Sequence, residues 1–247
     1  MVSRAVRTVS VRVAAAGASR TADREALLAF VAEVTRSDPA LVRVRRRCPH
    51  CGAVDHGRPD ALVDGRPVGV GLARTSGVLV LAVGPGRIGV DVERPSRVTA
   101  APLDAFTAGE RDRAAAGPDG VGLQLAACWA VKEAVLKRDG RGLRVEPVRV
   151  EAVLGRTVRE TVRGGHARFD GVDHPVTVVV LDADLVLAVA AGGAAVRVQD
   201  LRARDRSVVS PRRAGLSERP GPYRPREAGL RGTRARRAPD APRAPGA

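Results

Sequence analysis

Lysine is nearly missing from this 247-residue chain: 42 residues are basic, and all but Lys132 and Lys137 are arginine. Aromatic residues make up only 2% of it, too few for a run of base-stacking platforms, which weighs against recognition of single-stranded nucleic acid. Three cysteines do not make a disulfide framework, and no apolar run follows Met1-Val2-Ser3-Arg4, so a reducing, cytoplasmic location is expected. The most apolar late stretch, Leu185 to Val196, contains two glycines and is too short to span a bilayer. Neither a phosphate-cradling P-loop nor a Gly-x-Gly-x-x-Gly run occurs, which removes the common nucleotide-binding fingerprints. What remains is a hydrophobic fraction of 44%, mostly Val, Ala and Leu, enough to bury a core.

The formal charge of +15 suggests a polyanionic partner, but the charge is unevenly placed. Residues 201–247 hold 13 arginines, four acids (Asp205, Glu218, Glu227, Asp240) and seven prolines. With almost no large apolar residues, this segment cannot offset its ordering entropy and is expected to be a disordered tail. The basicity is therefore mostly a property of the tail, and net charge is a poor guide to function.

Apolar patterning divides the rest into strands and helices in both halves. Strands are expected at 4–14, 78–83, 87–93, 145–153, 176–181 and 185–191, and helices at 21–35, 107–116 and 125–138, the last ending at Gly140. Residues 43–66 read as irregular. His166 and His174, near glycines and a proline, read as turn or surface residues. The class is α+β.

One constellation stands out. Asp91 and Glu93 lie two apart on an apolar strand, so both carboxylates project from the same face. Such a pair is costly unless it is paired, solvated or coordinating a cation. In the helix Trp129-Ala-Val-Lys132-Glu133-Ala-Val-Leu-Lys137, Glu133 and Lys137 are spaced for an ion pair. A surface pair would be served as well by arginine, the cation this chain uses everywhere else. Lysine offers a compact ammonium that meets phosphate as a point charge. Three carboxylates with two ammoniums can hold a divalent cation against a polyphosphate, and oxygen donors favour magnesium.

These residues resemble the 4′-phosphopantetheinyl transferase superfamily. Gly89-Val-Asp91-Val-Glu93, followed some 35 residues later by Trp129 to Lys137, resembles its paired signature. Phe106-Thr-Ala-Gly-Glu110, Gly140-Arg-Gly-Leu143 and Gly57-Arg58-Pro59 are similar to three further segments of the pattern. The length suggests the larger, secondary-metabolism type. The resemblance implies two similar α/β subdomains related by a pseudo-twofold, the active site between them, with halves at 1–95 and 96–200 and the tail at 201–247. It implies transfer of 4′-phosphopantetheine from coenzyme A to a serine of an acyl or peptidyl carrier protein, apo to holo, with Mg²⁺. Asp91, Glu93 and Glu133 would hold the metal, and Glu133 would also serve as base. Lys137 would neutralise the attacked phosphate with Lys132 assisting, and Arg58 would contact coenzyme A. Where the family has a Ser-His pair before the GVDVE strand, this chain has Ala73-Arg74, and Arg74 is expected as a bidentate phosphate contact.

Two other readings compete. A basic nucleic-acid-binding protein would use the Cys48-Pro-His-Cys51 loop and the arginine tail. A catalytically silent relative would bind coenzyme A without transferring from it. The knuckle Cys48/Cys51 with His50 and His56 offers part of a zinc site, but no second Cys-x₂-Cys exists and a reduced loop is the plainer reading. Cys128 reads as a small buried residue. A monomer is expected, with no membrane and no specific nucleic acid as partner.

Overall fold

The computed structural model describes residues 8–46, 48, 51–54, 57–98, 103–159 and 161–202. All belong to one compact unit. The first seven residues of the chain and most of the basic tail, residues 203–247, lie outside the described residues.

The α+β class is what the chain adopts. Its elements are β1 (Thr8–Ala15), α1 (Arg20–Thr35), β2 (Val42–Arg46), β3 (Pro59–Val63), β4 (Arg66–Thr75), β5 (Val78–Gly84) and β6 (Gly89–Glu93). There follow α2 (Pro95–Val98), α3 (Ala108–Ala116), α4 (Val121–Asp139), β7 (Glu151–Arg159), β8 (Val162–Phe169), β9 (Val172–Asp182), β10 (Leu185–Ala190) and β11 (Ala195–Asp200). One sheet has the order β11-β1-β5-β4-β3-β2 and the other β6-β10-β9-β8-β7. All neighbours are antiparallel except β1 and β11.

The two-residue alternation of the strands builds four layers. Leu79, Leu81 and Val83 of β5 pack with Leu27, Phe30 and Val31 of α1. Val78, Val80 and Ala82, on the opposite face, meet Leu185, Leu187 and Val189 of β10 in a core between the sheets. Val186, Ala188 and Ala190 then pack with Ala130, Val131 and Ala134 of α4. Strands β5 and β10 are buried on both faces, which is why they read as unbroken apolar runs. Among the described residues no helix is long and apolar enough to cross a membrane.

The stretch 43–66 is not irregular throughout, because β2 and β3 lie within it. Arginines at Arg43 and Arg45 alternate with buried Val42 and Val44, so a half-buried strand was hidden by its charged face. Sequence patterning also passes over β4, β8 and β11, and β7 begins only at Glu151, after a turn of 3₁₀ helix at Pro147–Arg149. His166 and His174 stand on β8 and β9 rather than in turns. The chain crosses between the sheets twice: β6 joins the sheet built by the later strands, and β11 returns to pair with β1.

Candidate active site

On β6, Val90 and Val92 face the inter-sheet core, so Asp91 must face the other way, toward α4. The helix comes unusually close there. A Cβ on Gly89 would lie 1.7 Å from the Ala134 carbonyl oxygen, so only glycine admits this approach. One turn further along α4, Lys137 Nζ donates to Asp91 Oδ1 at 2.5 Å. Glu133, one turn back, is 9% exposed, and Asp91 is 5% exposed. Half-buried Glu93 accepts a hydrogen bond from the Trp129 indole, whose ring packs edge-on to Phe106.

This site is short of positive charge. Burial, together with the nearby charges of Asp91 and Glu93, pushes Glu133 up to about 7 despite the opposing pull of Lys137. Burial also raises Asp91, again against Lys137, and burial followed by the Asp91 charge raises Glu93. Two buried carboxylate oxygens, Asp91 Oδ2 and Glu133 Oε1, have no hydrogen-bond partner among the described residues. Buried acceptors of this kind normally find a donor or a cation. No group of three or more possible ligands is already arranged as a metal cage among the described residues. The two unpartnered oxygens suit an ion that takes one or two carboxylates and completes its shell with water and substrate phosphate, as magnesium does.

Lys137 also lines a cleft of about 460 Å³, joined there by Arg46, Arg58, Arg141 and Arg144 with Leu72 and Ile88 among the apolar residues. Arg58 donates to the Arg138 carbonyl and pairs with Asp60. Arg46 has no carboxylate partner among the described residues. Burial, with the charges of Arg20 and Arg24, lowers its pKa. A desolvated cation flanked by two more is stabilised by an anion. On the other side of the acids, a cleft of about 740 Å³ is lined by Glu93, Arg97, Val98, Phe106, Trp129 and Val148, among others.

Two expected contacts lie elsewhere. Lys132 is fully buried, with Nζ 2.8 Å from Glu110 Oε2 and bonded to the carbonyls of Pro147 and Val150. Glu110 completes a capping box with Thr107 at the start of α3 and accepts from the Ala152 amide. Lys132 is thus a strut joining α3, α4 and β7, with its three donors already used, and it does not line the cleft. Arg74 bonds Asp23 Oδ2 at 2.7 Å and the Gly17 carbonyl at 2.8 Å, clamping the start of α1. It too is absent from the cleft lining, its guanidinium being held by these two acceptors. Conversely, the cleft holds three arginines that the sequence reading gave no role: Arg141 stands in the Gly140-Arg-Gly-Leu143 segment already noted, while Arg46 and Arg144 are not distinctive among so many arginines.

Cys48 and Cys51 line the arginine cleft, and their loop is closed by the Cys48 amide on the Ala53 carbonyl. His50 and His56 lie outside the described residues. Cys128 is buried as expected, its thiol pushed up to about 12 by burial.

The model of the 4′-phosphopantetheinyl transferase superfamily matches residues 87–190. That span runs from just before β6 to the end of β10 and contains Asp91, Glu93, Glu133 and both lysines. The resemblance to this superfamily is shown over those residues, and with it the general activity of phosphopantetheine transfer is supported. A comparison with curated proteins returned no match.

Proposed function

We propose that the protein transfers 4′-phosphopantetheine from coenzyme A to a serine of an acyl or peptidyl carrier protein, as a transferase of the larger, secondary-metabolism type. The observation that carries this reading is the junction at Lys137. One ammonium touches both the buried acids and the arginine cleft, so phosphates lying in the cleft meet the carboxylates at that point.

In this reading the cleft receives the anionic end of coenzyme A, with Arg58, Arg46 and Arg144 screening its phosphates. Asp91 and Glu133, through their unpartnered oxygens, with Glu93 directly or through water, would hold Mg²⁺, and the ion would supply neutralisation of the charge on the leaving 3′,5′-ADP. Glu133, raised toward neutrality, accepts the proton of the carrier serine, directly or through water. The serine oxygen forms a bond to phosphorus as the pyrophosphate P–O bond breaks, and Lys137 balances charge on the attacked phosphate. The apolar cleft beside Glu93 and Trp129 accommodates the uncharged pantetheine arm. Lys132 and Arg74 act through the scaffold.

The test is to incubate the protein with an apo carrier, coenzyme A and magnesium, then weigh the carrier. A gain of the phosphopantetheine mass supports the reading. No gain on a carrier that another transferase does modify overturns it. Coenzyme A binding without transfer would identify the silent relative instead. Asp91→Asn and Glu133→Gln are each expected to lower turnover by about 10³-fold while leaving the circular dichroism spectrum unchanged.

A further inference from the structure

Lys137 lines the arginine cleft and also holds a carboxylate of the candidate metal site. Asp91 is almost fully buried, and its Oδ1 is held at 2.5 Å by Nζ. The second Asp91 oxygen and Glu133 Oε1 are left without partners. The Lys137 ammonium, with the Arg97 guanidinium acting on Glu93, thus only partly neutralises a site formed by three carboxylates. A divalent ion on Asp91 Oδ2 would lie close to the ammonium on Oδ1, and the repulsion between them weakens the hold of the ammonium on this carboxylate.

We propose that Lys137 is a displaceable internal counter-cation. It occupies Asp91 while no divalent cation is bound, and arrival of the ion releases the ammonium into the arginine cleft to meet the ligand's phosphates.

The inference rests on the divalent-cation reading above and adds an exchange to it. Lys137 can make that exchange without any movement of α4. Its side chain is 35% exposed, already lines the cleft, and carries its charge on a flexible four-carbon stem. Arginine at this position would grip the carboxylate through its fork and be harder to displace, which is a physical reason for lysine in a chain otherwise stripped of it. Lys132 shows the contrast: fully buried and bonded to three acceptors, it has nowhere to go.

The scarcity of lysine makes the exchange measurable. Besides the N-terminal amine, only Lys132 and Lys137 can react with an amine-directed acylating reagent, and Lys132 is 0% exposed. Saturating Mg²⁺, without nucleotide, is expected to raise labelling of Lys137 by about threefold or more relative to the N-terminal amine, read by peptide mass spectrometry. Lys132 should stay unlabelled throughout. In calorimetry, Lys137→Met is expected to bind Mg²⁺ about tenfold more tightly than the parent, since the competitor is gone. Labelling of Lys137 that is unchanged or reduced at metal saturation overturns the exchange, as does Mg²⁺ affinity in the variant that is equal or weaker. Failure to bind the ion at all removes both this inference and the metal reading. Carrier modification that proceeds with no change in labelling removes the exchange alone. The labelling arm uses the parent protein, so it stands even if the variant does not fold.

Discussion

Two lysines five residues apart on α4 have opposite fates, and burial decides between them. Lys132 is sealed against Glu110 and two carbonyls, so removing its charge strands a buried carboxylate. Lys132→Met should cost about 3–5 kcal/mol of stability by chemical denaturation, with any activity loss tracking unfolding rather than substrate affinity. Glu133 offers a pH signature. Its pKa rises from 4.5 to about 7 on folding, chiefly through burial, so the protonated form is the one that folding favours. That contribution is fully present below about pH 4.5 and is lost as the pH rises to about 7. Metal-free Glu133→Gln should therefore melt near the parent at pH 4.5 and several degrees above it at pH 8, and saturating Mg²⁺ should close that gap. A Tm difference that does not change with pH would contradict the burial of this group.

At the scale of elements, the site depends on how close α4 approaches β6. The only side chain that fits between Gly89 and the Ala134 carbonyl is none at all. Gly89→Ala should push the helix away and destabilise the fold by about 2–4 kcal/mol. Activity should fall even at temperatures where the variant remains folded, because Lys137 and Glu133 would move relative to Asp91. The helix is legible in sequence and ends as expected at Gly140, whose φ of 102° provides the left-handed cap. Several strands were less legible. The Asp64-Gly65 and Asp170-Gly171 pairs both take positive φ at hairpin turns, and an Asp-Gly pair is a strong short-range hairpin signal. Those turns mark β3–β4 and β8–β9, where charged or glycine-rich faces weakened the apolar alternation that pattern reading depends on.

For the whole molecule, the +15 charge matters less than where the cations converge. The arginine cleft takes residues from β2, the Gly57–Pro59 segment and the turn after α4, parts brought together only by stacking the sheets. Removing residues 203–247 should leave carrier modification within about twofold of the full chain, since the site residues identified among the described residues all precede them. The cut must spare Leu201 and Arg202. The Leu201 amide bonds the Val13 carbonyl, closing β11 onto β1, and Arg202 pairs with Asp182 at the end of β9 and Asp200 at the end of β11. Loss of transfer with loss of nucleic-acid binding in the truncated protein would instead support the polyanion-binding reading.

The sequence by itself determined the spacings on which the candidate site is built: acids two apart on one strand face, and a glutamate four residues before a lysine on a helix, are local features that survive any packing. It also determined the α+β class, because apolar periodicity is local. Tertiary structure decided which charges are available. Lys132 and Arg74, both expected at coenzyme A, are consumed by Glu110 and Asp23, while Arg46, Arg141 and Arg144 are delivered to the cleft. Whether a cation binds a ligand or props up the fold depends on which acceptors lie within about 3 Å of it, and partners contributed by distant segments cannot be read from the order of residues.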